Sequence, residues 1–285
     1  MIRDLSGRIA VITGAGSGIG NGYALALAEA GMDIVAADLN LEGAEATARQ
    51  VRELEQRAIA VETDVSDLDS MKRLADIAYE NFARVDVLCL NAGIGHYLPF
   101  HETPAEVWQK MIATNIGGSV NGMLAFWDRM RAQDGDKHVV ITSSIAGMVL
   151  RTKPPRTAYQ TTKYALVGFA ESMAAEGEEF NIGFSVVCAG PVHTDLGANS
   201  RRILGQEPPP TSNPPMRFLQ RVPEHQIEPI ELGRTVRRAI ERGDFWVLPH
   251  PETRYLYEER SQAIYAAFEQ AAKDIEEDAK QAKPA

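Results

Sequence analysis

Cysteine is scarce in this chain, and a surplus of positive charge and any long apolar run are missing altogether. Each absence removes a class of protein. The two cysteines, Cys89 and Cys188, lie far apart in strand-like apolar stretches, so they offer neither a disulfide framework nor a metal-ligand spacing. Both are expected as buried thiols. A formal net charge of −10 provides no basic face to neutralise nucleic-acid phosphates, and an anionic membrane would repel it. No stretch approaches the roughly 20 apolar residues of a bilayer span. The opening Met1-Ile2-Arg3-Asp4-Leu5-Ser6-Gly7 has no apolar signal core, so a cytoplasmic protein is expected. The six histidines are scattered, and no metal site is expected.

With 285 residues, 45% of them hydrophobic, the chain can bury a substantial core. Short β-branched runs alternate with amphipathic segments, the pattern of βαβ units around a parallel sheet. Strands are predicted at Ile9–Thr13, Asp33–Asp38, Ile59–Glu62, Val85–Asn91, His138–Ser143, Gly183–Cys188 and Phe245–Leu248. The predicted fold is α/β and doubly wound, a seven-stranded parallel sheet flanked by helices, in one domain spanning 1–285. Long helices are predicted over Pro104–Arg131, with Thr103 as cap and Pro104 at the first helical position, and over Thr157–Phe180. The proline-rich segment 192–229 has little periodicity and follows a strand's carboxyl end, so it reads as a substrate lid. Residues 271–285 read as a flexible tail, a solvated or frayed helix end.

Two clusters carry the chemistry. Thr13-Gly14-Ala15-Gly16-Ser17-Gly18-Ile19-Gly20 follows a strand and precedes the helical run Tyr23–Ala30. Gly14 allows a tight turn; Gly18 and Gly20 let backbone approach a pyrophosphate, with helix amides and the dipole behind it. Asp38 ends the second predicted strand, where its carboxylate can accept from both hydroxyls of an adenosine ribose and repel a 2′-phosphate. No basic residue follows it closely, so NAD is expected over NADP. Capping the next helix is the alternative role for Asp38.

Tyr159 and Lys163 stand at i and i+4, on one face of a helix. A tyrosine pKa near ~10 is too high for a base at neutral pH. An ammonium about 4 Å away contributes on the order of 4 kcal/mol at an effective dielectric of ~20, which makes a phenolate accessible to take an alcohol proton. Upstream, Ser144 closes a buried strand, with Ser143 as the alternative hydroxyl.

In this order the motifs resemble the short-chain dehydrogenase/reductase family over nearly the whole chain: Thr-Gly-x-x-x-Gly-x-Gly, Asp64-Val65, Asn91-Ala92-Gly93, Asn115, Ser144, and Tyr159 with Lys163. The resemblance implies a Rossmann fold and a nicotinamide-dependent oxidoreductase acting on a secondary alcohol. Tyr159 would be the general acid/base, Ser144 would hydrogen-bond the substrate oxygen, and Lys163 would hold the nicotinamide ribose while lowering the tyrosine pKa. Asn115 would hold a water in a proton relay, or only kink its helix. The cofactor would be held by Gly14, Ser17, Gly18, Ile19 and Gly20, by Asp38, by Asp64 and Val65 at the adenine, and by Asn91, Ala92 and Gly93 at the adjoining ribose. Val192 and Thr194 would hold the carboxamide. A homodimer or homotetramer is also implied, with Phe126 and Trp127 either at that contact or in the core.

Several features depart from the family. Ala189-Gly190-Pro191 stands where Pro-Gly is usual, which suggests a less rigid turn, and Thr162 replaces a serine. The connection from Ser144 to Tyr159 is longer than usual and carries a basic run, Arg151 to Arg156, read as solvated charge at the mouth of the site. Pocket walls are expected from His96, Tyr97 and Leu98, from Met148, Val149 and Leu150, and from Leu196, Ile203 and Leu204. His96 is read as an exposed loop residue. Mostly apolar walls favour a hydrophobic or aromatic alcohol. The C-terminal stretches His225–Pro229 and Phe245–Glu252 resemble those of bacterial dehydrogenases that oxidise the benzylic alcohol of lignin-derived aryl ethers. Steroid alcohols, 3-oxoacyl thioesters and small cyclic alcohols are the competing substrates. A non-catalytic NAD-binding sensor and a nucleotide-sugar epimerase are the competing functions.

Overall fold

The computed structural model describes residues 2–149, 156–206 and 226–281. Seven parallel strands form one sheet in the order β3-β2-β1-β4-β5-β6-β7: β1 Ile9–Thr13, β2 Asp33–Asp38, β3 Ala58–Glu62, β4 Val87–Leu90, β5 Lys137–Thr142, β6 Ile182–Val187 and β7 Trp246–Val247. The α/β Rossmann reading stands, and the strand positions agree with expectation to within a few residues at each end. Strands β1, β2 and β4 are almost continuously apolar because the sheet is covered on both faces. On one face lie α1 (Gly18–Ala28), α2 (Leu41–Glu53) and α8 (Pro229–Arg242), packed on Ala10, Ile12 and Ile34. The other carries α3 (Leu68–Phe82), α5 (Gly118–Ala132) and α6 (Thr157–Gly177), packed on Val11, Val35 and Leu88. Phe126 is wholly buried in this second layer, which places it in the core.

Three expectations require correction. The helix foreseen over Pro104–Arg131 is α4 (Ala105–Met111), a π-helical turn at Ile112–Gly117, and α5. Thr103 does not cap it: Pro104 is the flanking residue, and the Thr103 hydroxyl donates to the Pro99 carbonyl at 2.8 Å. Inside the segment read as an aperiodic lid, Leu196–Leu204 forms α7. Leu196, Ser200, Ile203 and Leu204 have helical spacing, a pattern overshadowed by the prolines downstream. The C-terminal tail is the expected solvated helix end, since α9 runs from Arg254 to Gln281 on residues of high helix propensity. The proline-rich stretch 207–225 of the segment read as a lid, the expected wall residue Leu150 and residues 151–155 of the basic run lie outside the described residues. Among the described residues no helix is long and apolar enough to cross a membrane, and no acidic, histidine or cysteine cluster could hold a metal ion.

One buried carboxylate fixes the amino-terminal edge of the central strands. Asp86 accepts from the Ile9 amide at 3.0 Å, from Arg8 at 3.1 Å and from Arg84 Nε at 3.0 Å. Its side chain is fully buried, whereas those two arginines reach solvent. Asp86→Ala is expected to lower unfolding stability in urea by about 3 kcal/mol, the low end for breaking a buried pair. Asp76→Ala, which breaks the exposed pair with Arg129, should lose less than about 1 kcal/mol. Equal losses in the two variants would refute this assignment.

Candidate active site

The sheet order reverses between β1 and β4, and a crevice opens there at the strands' carboxyl ends. Thr13 and Asn91 join the two ends. Thr13 Oγ1 donates to the Cys89 carbonyl at 3.2 Å and accepts from the Asn91 and Ala92 amides at 3.0 and 3.2 Å. Asn91 Nδ2 donates back to the Thr13 and Gly14 carbonyls. The glycine loop is packed too tightly here for side chains. A Cβ on Gly14, whose φ is +66°, would lie 2.8 Å from Ala92 Cα, and one on Gly20 would lie 2.0 Å from the Gly14 carbonyl oxygen. Asp38 lies against the same loop, accepting from the Gly16 amide and the Asn40 amide, both at 2.8 Å. It therefore orders the turn into α2, yet a carboxylate offers about four acceptor positions, so two such bonds leave capacity for a ribose.

The residues expected at the adenosine end follow β3, at the carboxyl side of the same sheet. Asp64 accepts from the Ser66 amide and hydroxyl at 2.9 and 2.6 Å, and Val65 is buried with its carbonyl bonded to Asn121 Nδ2. Thr194 closes the opposite side: a Cβ on Gly18 would meet its methyl at 3.0 Å. Asn199 of α7 donates to the Ser17 hydroxyl at 3.2 Å, so α7 reaches the glycine loop. The close backbone packing, the amides opening α1 and an acidic group at the end of β2 fit a dinucleotide.

Deeper in the crevice, the Tyr159 phenol is hydrogen-bonded to Ser144. Ser144 Oγ also donates to the Ala189 carbonyl at 3.3 Å and accepts from the Ala146 amide. Ser143 is engaged elsewhere, donating to the Lys163 carbonyl at 2.8 Å. Asn115 sits in the π-helical turn, fully buried. Its Oδ1 accepts from the Ile94 amide at 2.8 Å, and its Nδ2 donates to the Ile94 carbonyl at 3.0 Å and to Thr162 Oγ1 at 2.9 Å. Thr162 in turn donates to the Tyr159 carbonyl at 2.8 Å. The turn is thus a functional bulge that binds the loop after β4 to the tyrosine's helix.

The electrostatics differ from the sequence expectation. Burial raises the Tyr159 phenol above its usual value; the Ser144 hydrogen bond and then the Arg156 guanidinium oppose that rise. Lys163 is not among the opposing charges. Its ammonium lies 5.6 Å from the Tyr159 ring centre and donates to the Thr142 carbonyl at 2.9 Å, and burial pushes its pKa down to about 8. Arg156, read from sequence as solvated, is buried one turn before Tyr159, 5.0 Å over the Tyr97 ring. Spacing on the helix did not reveal this second cation because its position depends on Tyr97, from a distant loop.

Around Tyr159 the wall is apolar: Ile94, Val107, Met111, Ala146 and Ala158, with Tyr97, Trp108, Ile203 and Leu204 against them. Tyr97 meets Tyr159 edge-on at 5.5 Å. Val149 packs with Ile145 and Leu256, whereas Leu98 is exposed. His96 is buried rather than exposed, because the loop folds over this cluster; Gln206 Nε2 lies 3.4 Å from its Nδ1. Trp108, Gln206 and Leu256 carried no motif that would have announced them.

Substituting Thr162 tests the network. Thr162→Val leaves one of the two Asn115 Nδ2 hydrogens without its acceptor and should destabilise the fold by about 1–3 kcal/mol in chemical denaturation, whereas Thr162→Ser keeps the hydroxyl and should stay near wild type. Equal stability of the two variants would show that the hydroxyl contributes nothing.

A family model described as short chain dehydrogenase matches residues 8–204. The C alpha-dehydrogenase of Sphingobium sp. strain SYK-6 is 27% identical over 267 residues, covering 92% of this chain and 87% of that one. Among solved structures, a short chain dehydrogenase/reductase from Burkholderia phymatum in complex with NAD superposes with a TM-score of 0.82 at 29% identity, covering 93% of this chain and 96% of that one. LigO in its apo form, from Sphingobium sp. strain SYK-6, gives 0.80 at 30% identity over the full length of both chains.

Proposed function

Since this chain belongs to the short-chain dehydrogenase family and is therefore an oxidoreductase, we propose that it interconverts a secondary alcohol and its ketone with NAD, Tyr159 serving as the general acid/base. The observation that carries this reading is the Ser144–Tyr159 hydrogen bond, held in the crevice that the glycine loop and Asp38 border. The glycine loop, Asp38 and Lys163 would hold NAD, which would supply the acceptor for the hydride of the carbinol carbon. Tyr159, as phenolate, takes the hydroxyl proton; in the reverse direction it returns that proton to the ketone oxygen. Ser144 donates a hydrogen bond to the same oxygen and orients it. Asn115 and Thr162 hold the tyrosine's helix against the loop after β4. Arg156 supplies positive charge near the phenol, while Lys163, anchored on the Thr142 carbonyl, would hold the nicotinamide ribose.

Asp38 supports NAD over NADP, since its carboxylate repels a 2′-phosphate and the turn beyond it, Leu39-Asn40-Leu41, carries no cation. The apolar, aromatic wall supports a hydrophobic or aryl-substituted alcohol, and the Sphingobium C alpha-dehydrogenase lends this the same direction. The proposed assembly is a homodimer or homotetramer through α5 and α6. Leu124 is exposed there, and Trp127 packs edge-on against Phe180.

The test is NADH formation with a panel of benzylic, steroidal and alicyclic secondary alcohols. Turnover is expected with NAD and a benzylic member, and Tyr159→Phe should lower kcat by about 10²–10⁴-fold. A variant as active as wild type would remove the tyrosine from the mechanism. Asp38→Ala should raise the relative kcat/KM with NADP; unchanged selectivity would leave Asp38 only its turn-ordering role. Because oxidation requires phenolate and reduction requires phenol, kcat/KM for the alcohol should rise with pH and that for the ketone should fall. Parallel profiles in the two directions would contradict a tyrosine base.

A further inference from the structure

Amides on one edge of β6 meet β7 at alternate residues. Val186 N donates to the Phe245 carbonyl at 2.8 Å and Cys188 N to the Val247 carbonyl at 2.9 Å. β7 ends at Val247, and the next amide in this series, Gly190, is met by a side chain instead of backbone: it donates to His250 Nδ1 at 3.0 Å. Nε2 of the same ring lies 3.1 Å from the Pro191 carbonyl. An amide must donate and a carbonyl must accept, so the imidazole is held as the neutral tautomer with its proton on Nε2. The ring is 2% exposed, and a Cβ on Gly190 would lie 2.9 Å from it, which explains a glycine at that position. The His250 backbone is itself anchored, its carbonyl accepting from the Thr253 hydroxyl at 2.6 Å and amide at 3.0 Å.

The loop held this way runs directly to the cofactor crevice. Beyond Pro191, Val192 bridges Ile227 in parallel: Ile227 N donates to the Pro191 carbonyl at 3.3 Å, and His193 N to the Ile227 carbonyl at 3.0 Å. Thr194 then lies against Gly18 of the glycine loop. The turn expected to be lax, for want of the family's Pro-Gly order, is clasped by a histidine from the far end of the chain.

We propose that His250 is a positioning residue for the nicotinamide end of the cofactor, its imidazole continuing the β6–β7 ladder by one rung and so setting Val192 and Thr194. The inference rests on the reading that those two residues hold the carboxamide. It is tested by measuring the Kd of the full-length protein for NADH and for ADP-ribose, which lacks the nicotinamide. His250→Phe keeps a flat ring without either hydrogen bond. It should weaken NADH binding by about tenfold or more while ADP-ribose binding stays within about twofold. His250→Asn can keep the Gly190 acceptor and His250→Gln the Pro191 donor, so each should recover part of the loss; if His250→Phe does not fold, this pair carries the test. Thr194→Ala is the control for the underlying reading and should also weaken NADH alone. An unchanged NADH to ADP-ribose ratio in the His250 variants, with Thr194→Ala still selective, would overturn the clasp and spare the reading. No selectivity in either set would overturn both, and parallel loss of the two ligands in the His250 variants would reduce His250 to a structural residue.

Discussion

The joint between Thr13 and Asn91 is the constraint on which the rest of this molecule depends. Parallel strands leave their carboxyl ends without partners, and at a reversal of strand order two such ends diverge to opposite sides. A single hydroxyl and a single carboxamide satisfy the carbonyls and amides exposed there. With the fork fixed, the glycine loop can press against Ala92, and the loop after Asn91 can carry Ile94 to Asn115. From Asn115 the chain of contacts passes through Thr162 to the backbone of Tyr159. The glycine loop and Tyr159 are therefore parts of one hydrogen-bonded framework.

Burial is what makes the tyrosine difficult to ionise, and the surroundings oppose it from several directions. Ser144 binds the phenol, and Arg156 reaches it from one helical turn away by lying across Tyr97. Lys163 sits lower against Thr142, itself weakened as a cation by the same burial. The two cations thus lie apart, the guanidinium over Tyr97 and the ammonium on the Thr142 carbonyl.

Much of the fold could be read in the sequence because parallel strands buried on both faces are continuous apolar runs, and β1 and β2 begin and end where those runs do. The glycine loop, Asp38, Ser144, Tyr159 and Lys163 were legible as local spacings. What escaped was non-local. His96 seemed exposed until its loop folded over the Ile94 cluster, and Arg156 seemed solvated until Tyr97 lay beneath it. The π-helical turn at Asn115 follows from hydrogen bonds to a separate strand's loop, which no helical periodicity encodes. Likewise α7 was masked by its proline-rich neighbour, although Ser200 docks it by accepting from the Gly95 amide at 2.8 Å.

The account stands or falls on where the hydrogen of the carbinol carbon goes. The most direct measurement incubates the protein with NAD and a benzylic alcohol deuterated at that carbon, then determines by mass spectrometry where the label resides. Recovery of one deuterium in the reduced cofactor, with the ketone unlabelled, is the predicted result. Ketone formed with the label lost to water, or no label in the cofactor, would contradict it.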